Sequence, residues 1–186
     1  MKDSQINDPI SREYKRIEFA KRLTLHRVRT RTIIDLTGLT PNRLTGFRRR
    51  WKVPEETRLR GSHPRSLDIF LRTPEARTET AAALSLCRAF DALPQRPRDY
   101  APDGKLFIDV GLRLCEAFEA YRACRPTSDL EFDDLMLLIR ELDQGTVIRL
   151  GKCRGCRSSI VIATFDGTRP ICSHCQRREN KPINPS

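Results

Sequence analysis

The sequence predicts a mainly α fold, an N-terminal helical domain with a helix-turn-helix-like pair, followed by a small C-terminal β-hairpin with two cysteine knuckles. Three observations predict it. Apolar residues recur at helical spacing through residues 12–143, the pattern turns extended from Thr146, and Cys153-Arg-Gly-Cys156 stands fifteen residues from Cys172-Ser-His-Cys175. Each C-x-x-C pair can present two thiolates from one tight turn, so Cys153, Cys156, Cys172 and Cys175 match the tetrahedral shell of one structural Zn²⁺ per chain. The hairpin with its knuckles then reads as a zinc ribbon whose metal is part of the fold.

Residues 1–11 read as a flexible leader ending at Ser11, which caps the first helix. From residue 12 to about 29, Tyr14, Ile17, Ala20 and Leu23 form the apolar stripe while Lys15, Arg16, Lys21, Arg22 and Arg27 lie outside it. That basic face serves either as a solvated surface or as a phosphate contact. Residues 12–66 make up the basic region, and residues 30–52 its helix-turn-helix-like unit.

Within that unit, Ile33, Ile34 and Leu36 lead to Gly38, which supplies a tight turn. Thr40 then caps a second helix opened by Pro41, where a missing N–H costs nothing. Ile34, Leu39, Leu44 and Phe47 fall where the two helices pack, leaving Asn42, Arg43, Thr45, Arg48, Arg49, Arg50 and Lys52 outside. An amide, a hydroxyl and several guanidinium groups on one helix suit a major groove, where Asn binds adenine, Arg binds guanine, and both Lys and Arg bind phosphate. Residues 52–66 read as an irregular connection with His63 solvated.

Residues 67–143 are acidic and read as three helices used for packing and partner binding. Thr73-Pro74 opens the first, with Ala83, Leu86, Cys87 and Phe90 inward. The second runs from about Gly104 to Cys124 with Phe107, Val110, Leu114, Phe118 and Tyr121 inward. Ser128 to Glu131 reads as the capping box of the third, which buries Leu135, Leu138, Ile139 and Leu142. Phe132, Met136 and Leu137 widen that last stripe, so it serves as core or as a helix-lined partner surface. Residues 144–178 form the ribbon, with extended runs on either side of an Asp166-Gly167 turn, and residues 179–186 a disordered tail that begins its polar run at Gln176.

The net charge of +11 is unevenly spread: +10 over residues 1–66, −5 over 67–143 and +6 over 144–186. A basic start and a basic metal-binding end around an acidic middle point to a polyanionic partner, with Arg154 and Arg157 of the ribbon as phosphate contacts. No run of eighteen apolar residues occurs and Met1–Gln5 begins no secretory signal, so a cytoplasmic protein with no membrane partner is expected. In a reducing compartment the paired cysteines are metal ligands; Cys87, Cys115 and Cys124, set among apolar residues, read as buried free thiols, and His174 as a bystander between two ligands. Catalysis has little footing, because phosphate-loop, nucleophile-elbow and zinc-protease motifs are all missing and a four-cysteine zinc leaves no open position. No enzyme is expected.

In this order of parts, residues 12–178 resemble the FlhC family, the zinc-containing subunit of the bacterial flagellar master transcription activator. The resemblance rests on Leu39-Thr-Pro-Asn-Arg-Leu44 leading to Trp51, on Arg60 to Phe70, and on Cys153-Arg-Gly-Cys156 with Ile171-Cys172-Ser-His-Cys175. It implies that the four cysteines are the zinc ligands. It further implies a complex with FlhD, a small helical subunit, as four FlhD with two FlhC, which binds double-stranded promoter DNA and activates flagellar operons through the σ⁷⁰ form of RNA polymerase. Two alternatives stand beside it: an FlhC-like regulator of non-flagellar promoters, and an RNA-binding zinc-ribbon protein. The second is disfavoured by the 6% aromatic content, because single-stranded RNA is read by stacking.

Overall fold

The computed structural model describes residues 8–55, 66–93, 99, 106–164 and 170–179. Eight helices and one two-stranded antiparallel sheet lie among them. In chain order they are α1 Pro9–Leu25, α2 Thr30–Thr37, α3 Pro41–Arg50, α4 Asp68–Leu71, α5 Pro74–Ala89, α6 Ile108–Cys124, α7 Phe132–Gln144, β1 Ile148–Lys152, β2 Ser159–Ala163 and α8 Ser173–Glu179. The mainly helical fold with a C-terminal four-cysteine hairpin is the one the sequence predicts. His63, the Asp166-Gly167 turn, residues 1–7, most of the 52–66 connection and the 180–186 tail lie outside the described residues.

Helix starts follow local chemistry, though twice not the residues expected. Asp8, not Ser11, caps α1: its carboxylate accepts from Ser11 N–H at 2.9 Å, and Pro9 takes the first helical position. Thr40 and Thr73 cap α3 and α5 as expected. For α7 the capping box moves three residues on, to Glu131 and Asp134, with Glu131 N–H donating to Asp134 Oδ2 at 2.8 Å. Ser128 is engaged elsewhere, bonded to the Tyr121 hydroxyl at 2.8 Å and accepting from Leu130 N–H.

Three helices end in the same way at residues that are not glycine. After α1, Arg27 N–H donates to Thr24 O and Val28 N–H to Leu23 O, both at 3.0 Å, with Arg27 at φ 58°. This ends α1 four residues before the expected boundary. Lys52 (φ 55°) after α3 and Asp91 (φ 50°) after α5 repeat the pattern. Each is the Schellman closure that glycine usually makes, and the residue that follows, Val28, Val53 or Ala92, turns back against the protein.

Packing centres on α1, α5, α6 and α7. Phe19, Leu23, Leu84, Leu114, Phe132, Leu135 and Leu138 are fully buried. The α1–α6 crossing is close because Phe19 lies on Gly111, where a Cβ would stand 2.3 Å from the ring. Phe132, Met136 and Leu137, which widen the stripe of α7, all pack into this core. Three residues expected in apolar stripes are exposed instead. Phe90 and Phe107 stand at helix caps, outside the helical stripe, and Tyr14 is 71% exposed with nothing among the described residues covering it. Cys124, at the end of α6, is exposed too, whereas Cys87 and Cys115 are buried and burial raises both thiols to about 12.

The uneven charge has an internal explanation. Lys15 pairs with Asp109 at 2.8 Å, Arg22 with Glu119 at 2.6 Å and Glu116 at 3.6 Å, and His26 with Glu119 at 2.9 Å. Basic α1 therefore lies along acidic α6. Nearby, Arg29 is buried with Asp133, whose Oδ2 accepts from both the backbone N–H and the guanidinium of Arg29 at 3.0 Å. Part of the opposition between the first third and the middle of the chain is thus satisfied within the fold.

The hairpin is built around the first cysteine pair, not from the two runs flanking residues 166–167 as expected: the run after the first pair takes the run before it as its partner. β1 and β2 pair from Ile148 with Ala163 to Lys152 with Ser159, so the loop joining them carries Cys153 and Cys156. At the far end Ile148, Val161 and Ala163 join the helical core against α5 and α7. The segment from Ser173 is helical rather than irregular. It forms α8, held to α5 by a 3.0 Å hydrogen bond between the Thr78 and Ser173 hydroxyls.

Candidate metal centre and nucleic-acid interface

The first knuckle is a tight backbone turn. Cys153 N–H donates to Ser158 O at 2.8 Å and Arg157 N–H to Cys153 O at 3.0 Å, with Arg157 in the left-handed region at φ 66°. The second knuckle opens α8 and is tied to the first by Arg154 N–H donating to Pro170 O at 3.0 Å. Together they bring the sulfurs of Cys153, Cys156, Cys172 and Cys175 within 4.8 Å of one another, with Cys156 and Cys172 at 3.6 Å.

This set fits a metal ion. A tetrahedral thiolate shell with bonds of about 2.3 Å has edges of about 3.8 Å, which the sulfur spacing matches. Gly155 clears the approach, since a Cβ there would stand 2.8 Å from Cys175 Sγ. Backbone N–H groups point at the sulfurs, Cys172 N at Cys153 Sγ (3.3 Å) and Cys175 N at Cys172 Sγ (3.5 Å), and such bonds favour thiolate. Burial pushes the Cys153 thiol up, but the backbone N–H groups of Cys156, Cys172 and Gly155 outweigh it and hold the thiol at about 6. Cys156 is lowered by the hydroxyl and backbone of Ser158. Cys175 is raised, to about 12, by burial and by its three sulfur neighbours, a repulsion that a cation placed among them would reverse. The four cysteines can hold a metal ion; His174 is exposed and is not one of the set.

The helix-turn-helix-like unit forms where expected. Gly38 ends α2 at φ 68°, and Thr40 Oγ1 accepts from Arg43 N–H at 3.4 Å. Leu39 and Leu44 are buried in the helical core, Ile34 and Phe47 are half-buried against it, and Trp51 stacks on Phe47 with centroids 5.5 Å apart. Asn42, Thr45, Arg49, Arg50 and Lys52 are exposed, whereas Arg48, expected outside, is 4% exposed and donates to Thr30 Oγ1 at 2.9 Å. Its position in the helix lies one turn from Leu44, on the packed face, and the long side chain reaches back to the start of α2. Arg43 is exposed but engaged, paired with Glu13 and set over the Phe47 ring at 5.6 Å.

On the ribbon, Arg154 and Arg157 are exposed beside the cysteines. The sequence reading missed Arg177 and Arg178, which α8 presents in its last turn.

Among the described residues no helix is long and apolar enough to cross a membrane. Comparison with protein-family models and with curated proteins gives no match.

Proposed function

We propose that this chain is a DNA-binding transcription activator subunit, with one structural Zn²⁺ held by Cys153, Cys156, Cys172 and Cys175 and no catalytic activity of its own. The observation that carries the reading is the outer face of α3. Asn42, Thr45 and Arg49 are exposed on a helix that has no carboxylate, with Arg50 and Lys52 at its end. The face is fixed from behind by buried Leu44 and Arg48, and by the Thr40 cap in front. An amide and a guanidinium group held this way can read base edges, and the terminal cations can bind phosphates. On the ribbon, Arg154, Arg157, Arg177 and Arg178 supply a second cationic surface beside the metal centre. Zinc is the ion that a closed four-thiolate tetrahedron suits best, and such a site is structural because no position is left for substrate.

The resemblance to the FlhC family extends the proposal to a hetero-oligomer with an FlhD-like helical subunit acting at flagellar promoters with RNA polymerase in the cytoplasm. The test is selection of bound duplexes from a random-sequence pool by the full-length zinc-loaded chain, alone and with a co-expressed FlhD-like subunit. A shared motif among recovered duplexes, with affinity falling steeply as salt rises, is the expected result. Recovery of no preferred sequence in either preparation would sink the proposal, and preference for structured RNA at equal salt would replace it with the RNA-binding reading.

A further inference from the structure

Six glycines stand among the described residues, and the fold itself accounts for five. Gly38 and Gly145 hold left-handed φ angles. A Cβ on Gly111 would meet Phe19, one on Gly151 would stand 2.4 Å from Ile162, and one on Gly155 would press on Cys175. Gly46 has no such reason. It lies inside α3, and a Cβ there would meet no atom of the chain within 4 Å. Glycine inside a helix is less stable than alanine, and a ten-residue helix has little propensity to spare.

Gly46 stands on the exposed face of α3, one turn from Asn42, beside Thr45 and three residues before Arg49, opposite Leu44, Phe47 and Arg48. We propose that Gly46 is the point where the backbone of α3 comes into van der Waals contact with base edges in the major groove of duplex DNA, the missing side chain setting how deeply Asn42, Thr45 and Arg49 reach. The inference rests on the DNA-binding reading and adds to it a residue that controls depth. Charge identifies the occupant. α3 has no carboxylate, and although Arg48 is buried and Arg43 is paired with Glu13, Arg49 and Arg50 stand exposed in its last turn with Lys52 just beyond, which suits a polyanion rather than another basic or apolar helix.

The test compares wild type, Gly46→Ala and Gly46→Leu for affinity to the duplexes that wild type selects from the random pool, for affinity to unselected duplex, and for thermal stability. Both variants should melt a few degrees above wild type, because alanine and leucine favour helix. Affinity for the selected duplex should fall about tenfold or more for Ala and further for Leu, while unselected duplex, held by phosphates, changes by less than about twofold. Unchanged affinity for the selected duplex would overturn the inference and leave the DNA-binding reading standing. Failure of wild type to select any duplex would overturn both. Variants that melt below wild type would mean that the space at Gly46 is used within the chain, and would overturn the inference as well.

Discussion

The Arg48 guanidinium donates to Thr30 Oγ1 at 2.9 Å, joining the last turn of α3 to the first turn of α2. This residue is a brace of the helix pair, although it sits in a run of three arginines whose other two members are exposed. Arg48→Ala should destabilise the protein by about 1–3 kcal/mol through the lost bond and packing. Arg49→Ala should shift stability by less than about 0.5 kcal/mol and weaken duplex binding, with the slope of log affinity against log salt reduced by about 1 if the contact is to phosphate. Denaturant melts and salt-series binding on the two single variants distinguish these roles; equal stability losses would refute the division.

Cys→Ser at position 153, 156, 172 or 175 should abolish stoichiometric metal in elemental analysis of reduced, freshly purified protein. Because Ile148, Val161 and Ala163 belong to the helical core, chelation should also raise amide exchange in α5, beyond the hairpin itself. Exchange that rises only in residues 148–179 would show that the hairpin unfolds on its own.

His26 sets a pH dependence. Burial against Phe118 and Phe132 lowers its pKa below 6.5, and the nearby cations Arg22 and Arg122 act in the same direction, while the bond to Glu119 opposes them. The folded state therefore binds fewer protons than the unfolded state once pH drops below about 6.5, so this contribution is present above that value and is lost as pH falls through the folded pKa. His26→Phe should flatten stability across this window in denaturant melts at a series of pH values. The further loss below 4.5 from Glu79, lowered by hydrogen bonds from Ser128 and Tyr121 that outweigh burial, should remain, whereas that from Glu119, which keeps Arg22 but loses its His26 bond, should shrink. An unchanged slope near pH 6 would rule His26 out as its source.

The left-handed closures at Arg27 and Lys52 invite glycine. Arg27→Gly and Lys52→Gly should each stabilise the fold by about 0.5–1 kcal/mol, since an L side chain at positive φ carries a steric cost that glycine does not. Thermal melts check the direction. Lys52→Gly should at the same time weaken duplex binding, in contrast to Arg27→Gly.

Features defined by a few neighbouring residues were legible in the sequence. Gly38, Thr40-Pro41, Thr73-Pro74 and the cysteine spacing each specify their own local geometry, and each stands where it was read. Ambiguity arose where two residues a turn apart could perform the same task. Asp8 took the capping role from Ser11, and Glu131 with Asp134 took it from Ser128, because Ser128 is held by Tyr121 in the last turn of α6. Arg48 and the cations of α1 were read as outward because their partners, Thr30 and the acids of α6, lie 18 to 97 residues away and leave no trace in local spacing. Arg177 and Arg178 were passed over because the segment following the last cysteine reads as polar tail, whereas its helix is anchored by Ser173 on Thr78.

The pairing of α1 with α6 also sets an order of events during synthesis. Arg22 and its partner Glu119 are 97 residues apart, and Lys15 and Asp109 are 94 apart. As the chain emerges, α1 is made before α6, so the face of Phe19 that packs on Gly111 and the cations Lys15 and Arg22 lack these partners until α6 has left the ribosome. Over that interval the nascent chain is a basic amphipathic segment beside ribosomal RNA. The slow step of its folding should then be closure of this long loop rather than formation of any single helix.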